Sequence, residues 1–189
     1  MAQTDVMKIE YTYDAKGNIS TMEITDSEGV HLTTFEYDAE DLLLGAFTNN
    51  GLADFTYEFD DNKLVKVNSY GNIPNVDRKL MVRTDFDYDG ENVSEFREYS
   101  LDFMTGELDL SEKVTYEHDT KKNPFYELDI QNSVFNLGHE QFASRNNCIK
   151  RTVLMSSYGD PLGTYEISFD YNTDGYPIQS SDGTQFTYY

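Results

Sequence analysis

A chain of 189 residues suffices for a single β-domain, residues 1–189, that buries roughly 70% of its extended-chain surface. Hydrophobic content is only 38%, but 15 Tyr and 12 Phe supply large apolar surfaces for a core. With 35 acidic and 14 basic residues the formal charge is −21, a field that repels phosphate backbones and anionic membranes and argues against nucleic acid as a partner.

The opening run MAQTDVMK has no signal-peptide apolar core, so the expectation is either a cytoplasmic chain or one whose export leader has been removed. The first element is IEYTYDAKGNIS at 9–20, where Tyr11 and Tyr13 alternate with polar residues and Asp14 precedes a Gly17-Asn18 pair. Relatives return as TFEYDAEDLL, FTYEFDDNKLV, TDFDYDGENV, VTYEHDTKKN and EISFDYNTDGYP. Aligning the Asp after the second aromatic gives Asp14, Asp38, Asp60, Asp89 and Asp119, with Asn172 in the same place. The spacings are 24, 22, 29, 30 and then 53 residues, the mark of a repeated supersecondary unit with one copy disguised.

Within each unit the period is two: Phe35/Tyr37, Tyr57/Phe59, Phe86/Tyr88 and Phe169/Tyr171 enclose Glu36, Glu58, Asp87 and Asp170. That is the pattern of a half-buried antiparallel strand. The residues after each Asp (DAKGN, DDNK, DGEN, NTDG) close tight turns, because Asx side chains bond amides two residues on and Gly takes positive φ freely. Turns are expected at 15–18, 60–63, 89–92 and 172–175. Second strands leave them as ISTMEIT, LVKVNSY and VSEFREYSL. Each unit is therefore a β-hairpin. Tyr13, Tyr37, Phe59, Tyr88 and Tyr171 should form a structural aromatic stripe, scaffold rather than active site.

Residues 123–147, NPFYELDIQNSVFNLGHEQFASRNN, break the rhythm. The Asn-Pro start, the spacing of Ile130, Val134 and Leu137, and HEQFAS together suggest an excursion with one or two short helices. Its apolar residues should cover or enter the hydrophobic side of the sheet. Cys148 follows in the strand-like NNCIKRTVLM and reads as a small buried hydrophobe. Strands resume to QFTYY, and no apolar stretch approaches the ~20 residues of a membrane helix. The whole is expected to be an all-β antiparallel meander, a closed or nearly closed barrel of roughly 10–12 strands.

The Tyr-x-Tyr-Asp-x-x-Gly-Asn phrase at 11–18 resembles the YD-type repeats of bacterial surface proteins. EYDAEDLLL, YEHDTKKNPFYEL, SRNNCIK and FDYNTDGYPI together resemble an exported Bacteroidetes family of unknown function, often lipid-anchored, with a porin-like but soluble β-barrel. The resemblance implies export to the periplasm, outer membrane or cell surface, with an N-terminal lipid anchor that this sequence lacks. It carries no catalytic residues.

The motifs that could carry chemistry are weak. DFDYDG (Asp85, Asp87, Asp89, Gly90) and DYNTDG (Asp170, Asn172, Asp174, Gly175) match the first half of a calcium loop. The closing bidentate Glu is replaced by Phe96 and Ser181. HEQFA has His139 and Glu140 but Ala143 where a zinc protease needs a second His. His31 and His118 are isolated, and His118 replaces the second aromatic of its unit. Two carboxylates on a β scaffold would suffice for glycoside hydrolysis, yet sequence cannot pair them and Trp is absent. The reading is a non-catalytic exported interaction or structural module meeting a protein or glycan, with no catalytic, metal or cofactor residues. The alternative is a barrel holding a small ligand or glycan, and interior volume separates the two.

Overall fold

The structure, a computed structural model, describes residues 8–27, 29–48, 54–71, 78–126, 143–157 and 162–188. Eleven strands pair antiparallel in chain order: β1 (Lys8–Tyr13), β2 (Ile19–Asp26), β3 (Gly29–Tyr37), β4 (Leu43–Thr48), β5 (Asp54–Asp60), β6 (Lys63–Gly71), β7 (Lys79–Asp89), β8 (Asn92–Leu101), β9 (Leu108–Lys122), β10 (Asn146–Ser156) and β11 (Gly163–Glu166). A second sheet pairs β12 (Phe169–Tyr171) with β13 (Pro177–Ser180).

The Asx residues close the hairpins through their side chains. Asp14 Oδ1 accepts the amides of Lys16 and Asn18 at 2.9 Å each, and Asp38 Oδ1 those of Glu40 and Leu42 at 3.0 and 2.8 Å. Asn172 Oδ1 does the same for Asp174 and Tyr176, at 3.0 Å each. In all three loops the residue three places on (Gly17, Asp41 or Gly175) donates its amide to the Asx carbonyl and has positive φ, at 96°, 66° and 84°. Asp60 and Asp89 instead pair directly with Lys63 and Asn92 across two-residue turns. There Asp61, Asn62 and Gly90 take the left-handed conformation that such hairpins need.

The outgoing strands share a second feature. Tyr13, Tyr37, Phe59, Tyr88 and Tyr171 pair with Ile19, Leu43, Leu64, Val93 and Pro177, and in each case the register then slips by one residue. A bulge of this kind bends its strand and increases local twist. It also returns the third residue after each pair to the inner face, so that Leu43 and Ala46, or Leu64 and Val67, are buried together.

Hydroxyl groups then tie hairpin to hairpin. Tyr37 donates to the Ile19 carbonyl at 2.9 Å, Tyr88 to Leu64 at 2.7 Å, and Tyr188 to Pro177 at 2.7 Å. Each reaches the residue that pairs with the last aromatic of the hairpin before it, Tyr13, Phe59 or Tyr171.

One face of the sheet carries a contiguous core of Met22, Phe35, Leu43, Ala46, Tyr57, Leu64, Val67, Phe86 and Val93, with Tyr116 and Ala143 packed against it. The opposite face carries cross-strand ion pairs such as Lys66–Glu58 at 2.8 Å, Arg97–Asp87 at 2.7 Å and Lys113–Glu95 at 2.9 Å. The sheet is strongly curved, because Phe55 on β5 and Arg151 on β10 line one cavity of about 410 Å³. In a flat sheet, strands that far apart would be separated by roughly 24 Å.

One expectation needs correction, and another falls largely outside the described residues. The main sheet does not close into a barrel: β1 and β11 are its edges and make no ladder with each other. The reason is at the C-terminal side, where β11 is four residues long and the chain then leaves at Ile167 and Ser168 for the second sheet. No helical excursion is seen among the described elements, all of which are strands, and residues 127–142 of the expected one lie outside the described residues.

The Tyr57 hydroxyl is buried with no hydrogen-bond partner among the described residues, and burial holds its phenol well above the usual range. Tyr57 and Tyr88 therefore make a matched test. Tyr88→Phe should cost about 1 kcal/mol by removing a satisfied hydrogen bond, whereas Tyr57→Phe should be neutral or stabilising. Chemical denaturation of both variants checks the contrast.

Candidate functional site

In the fifth hairpin the aspartate has a different task. Asp119 lies within β9 and accepts hydrogen bonds from the Lys121 amide at 2.8 Å and the Asn147 amide at 3.3 Å, and from the Tyr171 hydroxyl. No tight turn follows, and β9 and β10 are joined through the chain from 123 to 145.

The two ends of that connection are clamped. Asn123 donates its side-chain amide to the Ser144 carbonyl at 2.7 Å and its backbone amide to the Arg145 carbonyl at 3.0 Å. Ser144, fully buried, accepts the Val93 amide at 3.0 Å. Asn146 and Asn92 exchange two hydrogen bonds, at 2.9 and 3.0 Å, and Arg145 pairs with Glu91. The base of the connection is thus fastened to the turn of the fourth hairpin.

Beside this clamp lies a cavity of about 780 Å³ between β9–β11 and the β12–β13 hairpin. Its rings are Tyr116, Phe125, Tyr165, Phe169 and Phe186. Phe186 stands at the centre of an aromatic group, 6.4 Å from Phe125 and 6.3 Å from Phe169 between ring centroids. Asn123, Ser144, Asn146, Asn147 and Ser180 also line it, but their polar atoms are engaged in the hydrogen bonds that hold the clamp and the 180–184 turn. What the cavity offers a guest is aromatic surface together with the ionisable side chains of His118, Arg151, Glu166 and Asp182.

Tyr116 and Arg151 also line the 410 Å³ cavity in the concave face, so the two spaces share a wall. The second space is more polar. Glu98 and Glu112 are cross-strand partners on β8 and β9, and Arg151 holds Glu112 at 3.0 Å. Ser69 and Thr84 complete this end beside Phe55, Val67, Val82 and Phe96.

The stripe residues take the same register position in their hairpins but not the same environment. Tyr37, Phe59 and Tyr88 pack against the core, whereas Tyr13 on the edge strand β1 is 62% exposed. Tyr171 is half-buried beside Asp119; burial, then the hydrogen bond to that carboxylate, holds its phenol above the usual range. Of the calcium-like runs, Asp87 is paired with Arg97, Asp85 with Arg83 at 3.3 Å, and Asn172 closes its turn. His31 lies 3.5 Å from Asp26, and His139 is outside the described residues. Cys148, expected in the core, is instead half-buried on the cavity wall, with Sγ 3.4 Å from the Lys150 carbonyl. Sequence reasoning missed Glu98, Glu112 and Arg151, since nothing in their local runs marks them as neighbours.

No family model and no curated protein matches the chain. Among solved structures, a porin-like protein from Bacteroides uniformis aligns with a TM-score of 0.54 at 10% identity, over 93% of this chain and 69% of its own. A protein of unknown function from Bacteroides fragilis aligns at 15% identity with a TM-score of 0.40, over 86% of this chain and 91% of its own. The first likeness is one of fold.

His118 gives the cavity wall a pH response. Burial holds its imidazole below the ordinary value, with Asp119 opposing, so the folded state favours the neutral ring. That preference costs nothing above the unfolded pKa of about 6.5 and lowers stability as pH falls below it, because the unfolded chain takes up the proton first. Replacing His118 with Phe, the residue the third hairpin has at this position as Phe59, should flatten the pH dependence of the melting temperature just below about 6.5. Equal slopes for the two proteins would contradict this.

Proposed function

We propose that the protein is a non-catalytic binding module acting outside the cytoplasm, and that the aromatic cavity between the two sheets takes a small molecule. The observation that carries the reading is the cavity itself: about 780 Å³, within the usual range of ligand sites, with five rings on its wall. The amide and hydroxyl groups around it largely serve the clamp, which suits binding by shape and ring contact, and its ionisable wall residues His118, Arg151, Glu166 and Asp182 stand beside the rings. The same arrangement favours an apolar or aromatic guest over a glycan, which needs many directional partners. Export is supported by the resemblance to an exported Bacteroidetes family and by the fold likeness to a porin-like protein.

A second reading, docking of another protein, draws on the edge strand β1. All six of its residues are exposed, including Ile9, Tyr11 and Tyr13, and an unpaired edge is a template for strand addition.

The neutral dye N-phenyl-1-naphthylamine tests the cavity. Saturable binding at one dye per chain is expected, with loss of binding in Ile167→Trp, which places a large ring in the space. Absence of saturable binding, or binding unchanged by Ile167→Trp in a folded variant, would overturn the cavity as the site.

A further inference from the structure

The first strand carries a pattern that the hairpin code does not require. From Lys8 to Asp14, residues equidistant from Tyr11 complement each other: Lys8 matches Asp14 in charge, Ile9 matches Tyr13 in apolar surface, and the Glu10 carboxylate matches the Thr12 hydroxyl. A strand with this symmetry can pair with an antiparallel copy of itself about a twofold axis. The fold leaves the edge for it. Among the described strands β1 pairs with β2 alone, and the extra residue of the bulge near Tyr13 is Ser20 on β2, so β1 itself runs regular.

The apolar side of that edge is unfinished. Ile9, Tyr11 and Tyr13 stand opposite Ile24, Met22 and Ile19 on the core face, yet all three are exposed because β1 is the outermost strand. On the other face Lys8 and Glu10 meet at 2.6 Å, Thr12 meets Thr21 at 2.6 Å, and Glu10 stands opposite Glu23. Asp14 accepts the amides of Lys16 and Asn18 and the Asn18 side chain. The Lys8–Glu10 contact is of the exposed kind that is exchanged at little cost.

Charge and alternation select the register. An odd offset would set one copy's apolar side against the other's polar side. Centring on Glu10 places Glu10 opposite its own copy, and centring on Thr12 places Glu10 opposite Asp14, both like-charge pairs. Centring on Ile9 leaves Tyr11 and Tyr13 beyond the paired residues of β1. Centring on Tyr11 places Lys8 opposite Asp14, Ile9 opposite Tyr13 and Glu10 opposite Thr12. The other edge of the sheet, β11, is four residues long, and joining it to β1 would build an open-ended polymer instead of a closed pair.

We propose that β1 pairs antiparallel with β1 of a second copy of this chain, about a twofold axis at Tyr11, so that two chains form one continuous sheet. This pairing rests on the reading of β1 as a docking edge and does not involve the cavity. Sedimentation velocity from about 1 µM to about 1 mM should show monomer passing to dimer. Sodium chloride should favour the dimer, because it screens the repulsion between two chains of formal charge −21. Tyr11→Glu and Tyr11→Lys each set like charges face to face and should weaken the dimer about tenfold, while an equal mixture of the two variants should restore it. Tyr11 is exposed, so both variants should keep the strand spectrum in circular dichroism. With Cys148→Ser as background, Tyr11→Cys should give a disulfide-linked dimer on mild oxidation. Ile9→Cys should not, since in this register it lies about 13 Å along the strands from its copy.

A monomer throughout the range, or an open-ended polymer, overturns the self-pairing. So does a dimer untouched by Tyr11→Glu, or one cross-linked as readily through Ile9→Cys. A fluorescein-labelled peptide of residues 19–26, the sequence that β1 pairs with in the fold, separates this proposal from the reading beneath it. If the protein stays monomeric but binds the peptide, and Tyr11→Glu does not, the edge docks a strand and the second copy is ruled out. A monomer that leaves the peptide unbound defeats the docking edge as well.

Discussion

A side-chain oxygen that accepts two backbone amides sets the rest of this molecule. Asp14, Asp38 and Asn172 each hold the residues two and four places on, which fixes the loop length and the left-handed residue that ends it. Loop geometry fixes strand register, and a slip of one residue would turn every aromatic to the wrong face. Only with that register does Tyr37 reach the Ile19 carbonyl of the hairpin before it, and the two-residue turns after Asp60 and Asp89 set the equivalent register for Tyr88 and the Leu64 carbonyl. Local turn chemistry is thereby converted into contact between hairpins, and the curved core follows from repetition. The chain is not a set of independent ribbons, because Tyr37, Tyr88 and Tyr171 are each anchored on the hairpin before them.

The fifth hairpin shows what happens when that rule is relaxed. Asp119 directs its carboxylate to Asn147 and to the Tyr171 hydroxyl instead of to a turn of its own. Its strands are then free to accept a long connection, whose ends need a separate clamp: Ser144, Arg145 and Asn146 provide it by bonding to Val93, Glu91 and Asn92, and Asn123 closes it on Ser144 and Arg145. The same departure lets β12–β13 stand away from the main sheet while Tyr171 ties it back. The aromatic cavity occupies the space so created. Opening one turn thus links a scaffold rule to a place for a ligand.

Much of this was legible in the letters. The Asp positions, the turns and the antiparallel order follow from short-range chemistry, and short-range chemistry is what a sequence displays. The bulges were not. They place inward residues three apart, as in Ile19 and Met22 or Val93 and Phe96, a spacing that resembles a helix as much as a strand. Barrel closure was misjudged because it depends on whether the last strand is long enough to meet the first, and β11 ends after Glu166. Tyr13 matches Tyr37 and Tyr88 letter for letter, yet it lies on an edge with no hairpin before it to bury it. The polar wall of Glu98, Glu112 and Arg151 gathers residues from three strands, and only the folded register brings them together.

The distribution of charge completes the argument. Basic residues are scarce, and several on the outer face are committed to cross-strand carboxylates: Lys66 to Glu58, Arg97 to Asp87, Lys113 to Glu95 and Lys150 to Glu117. Such exposed pairs contribute little each to stability, about 0–1 kcal/mol. Their effect is on the net field, since they quiet the outer face locally. Arg151 is the exception, a cation on the concave side, and Glu112 is held beside it with most of its side chain out of water. A buried carboxylate needs a partner to remain charged, and Arg151 serves that purpose for Glu112. Glu98, opposite, accepts the Ser111 hydroxyl at 3.3 Å, so the carboxylates of the concave face are held by neighbouring strands as those of the outer face are.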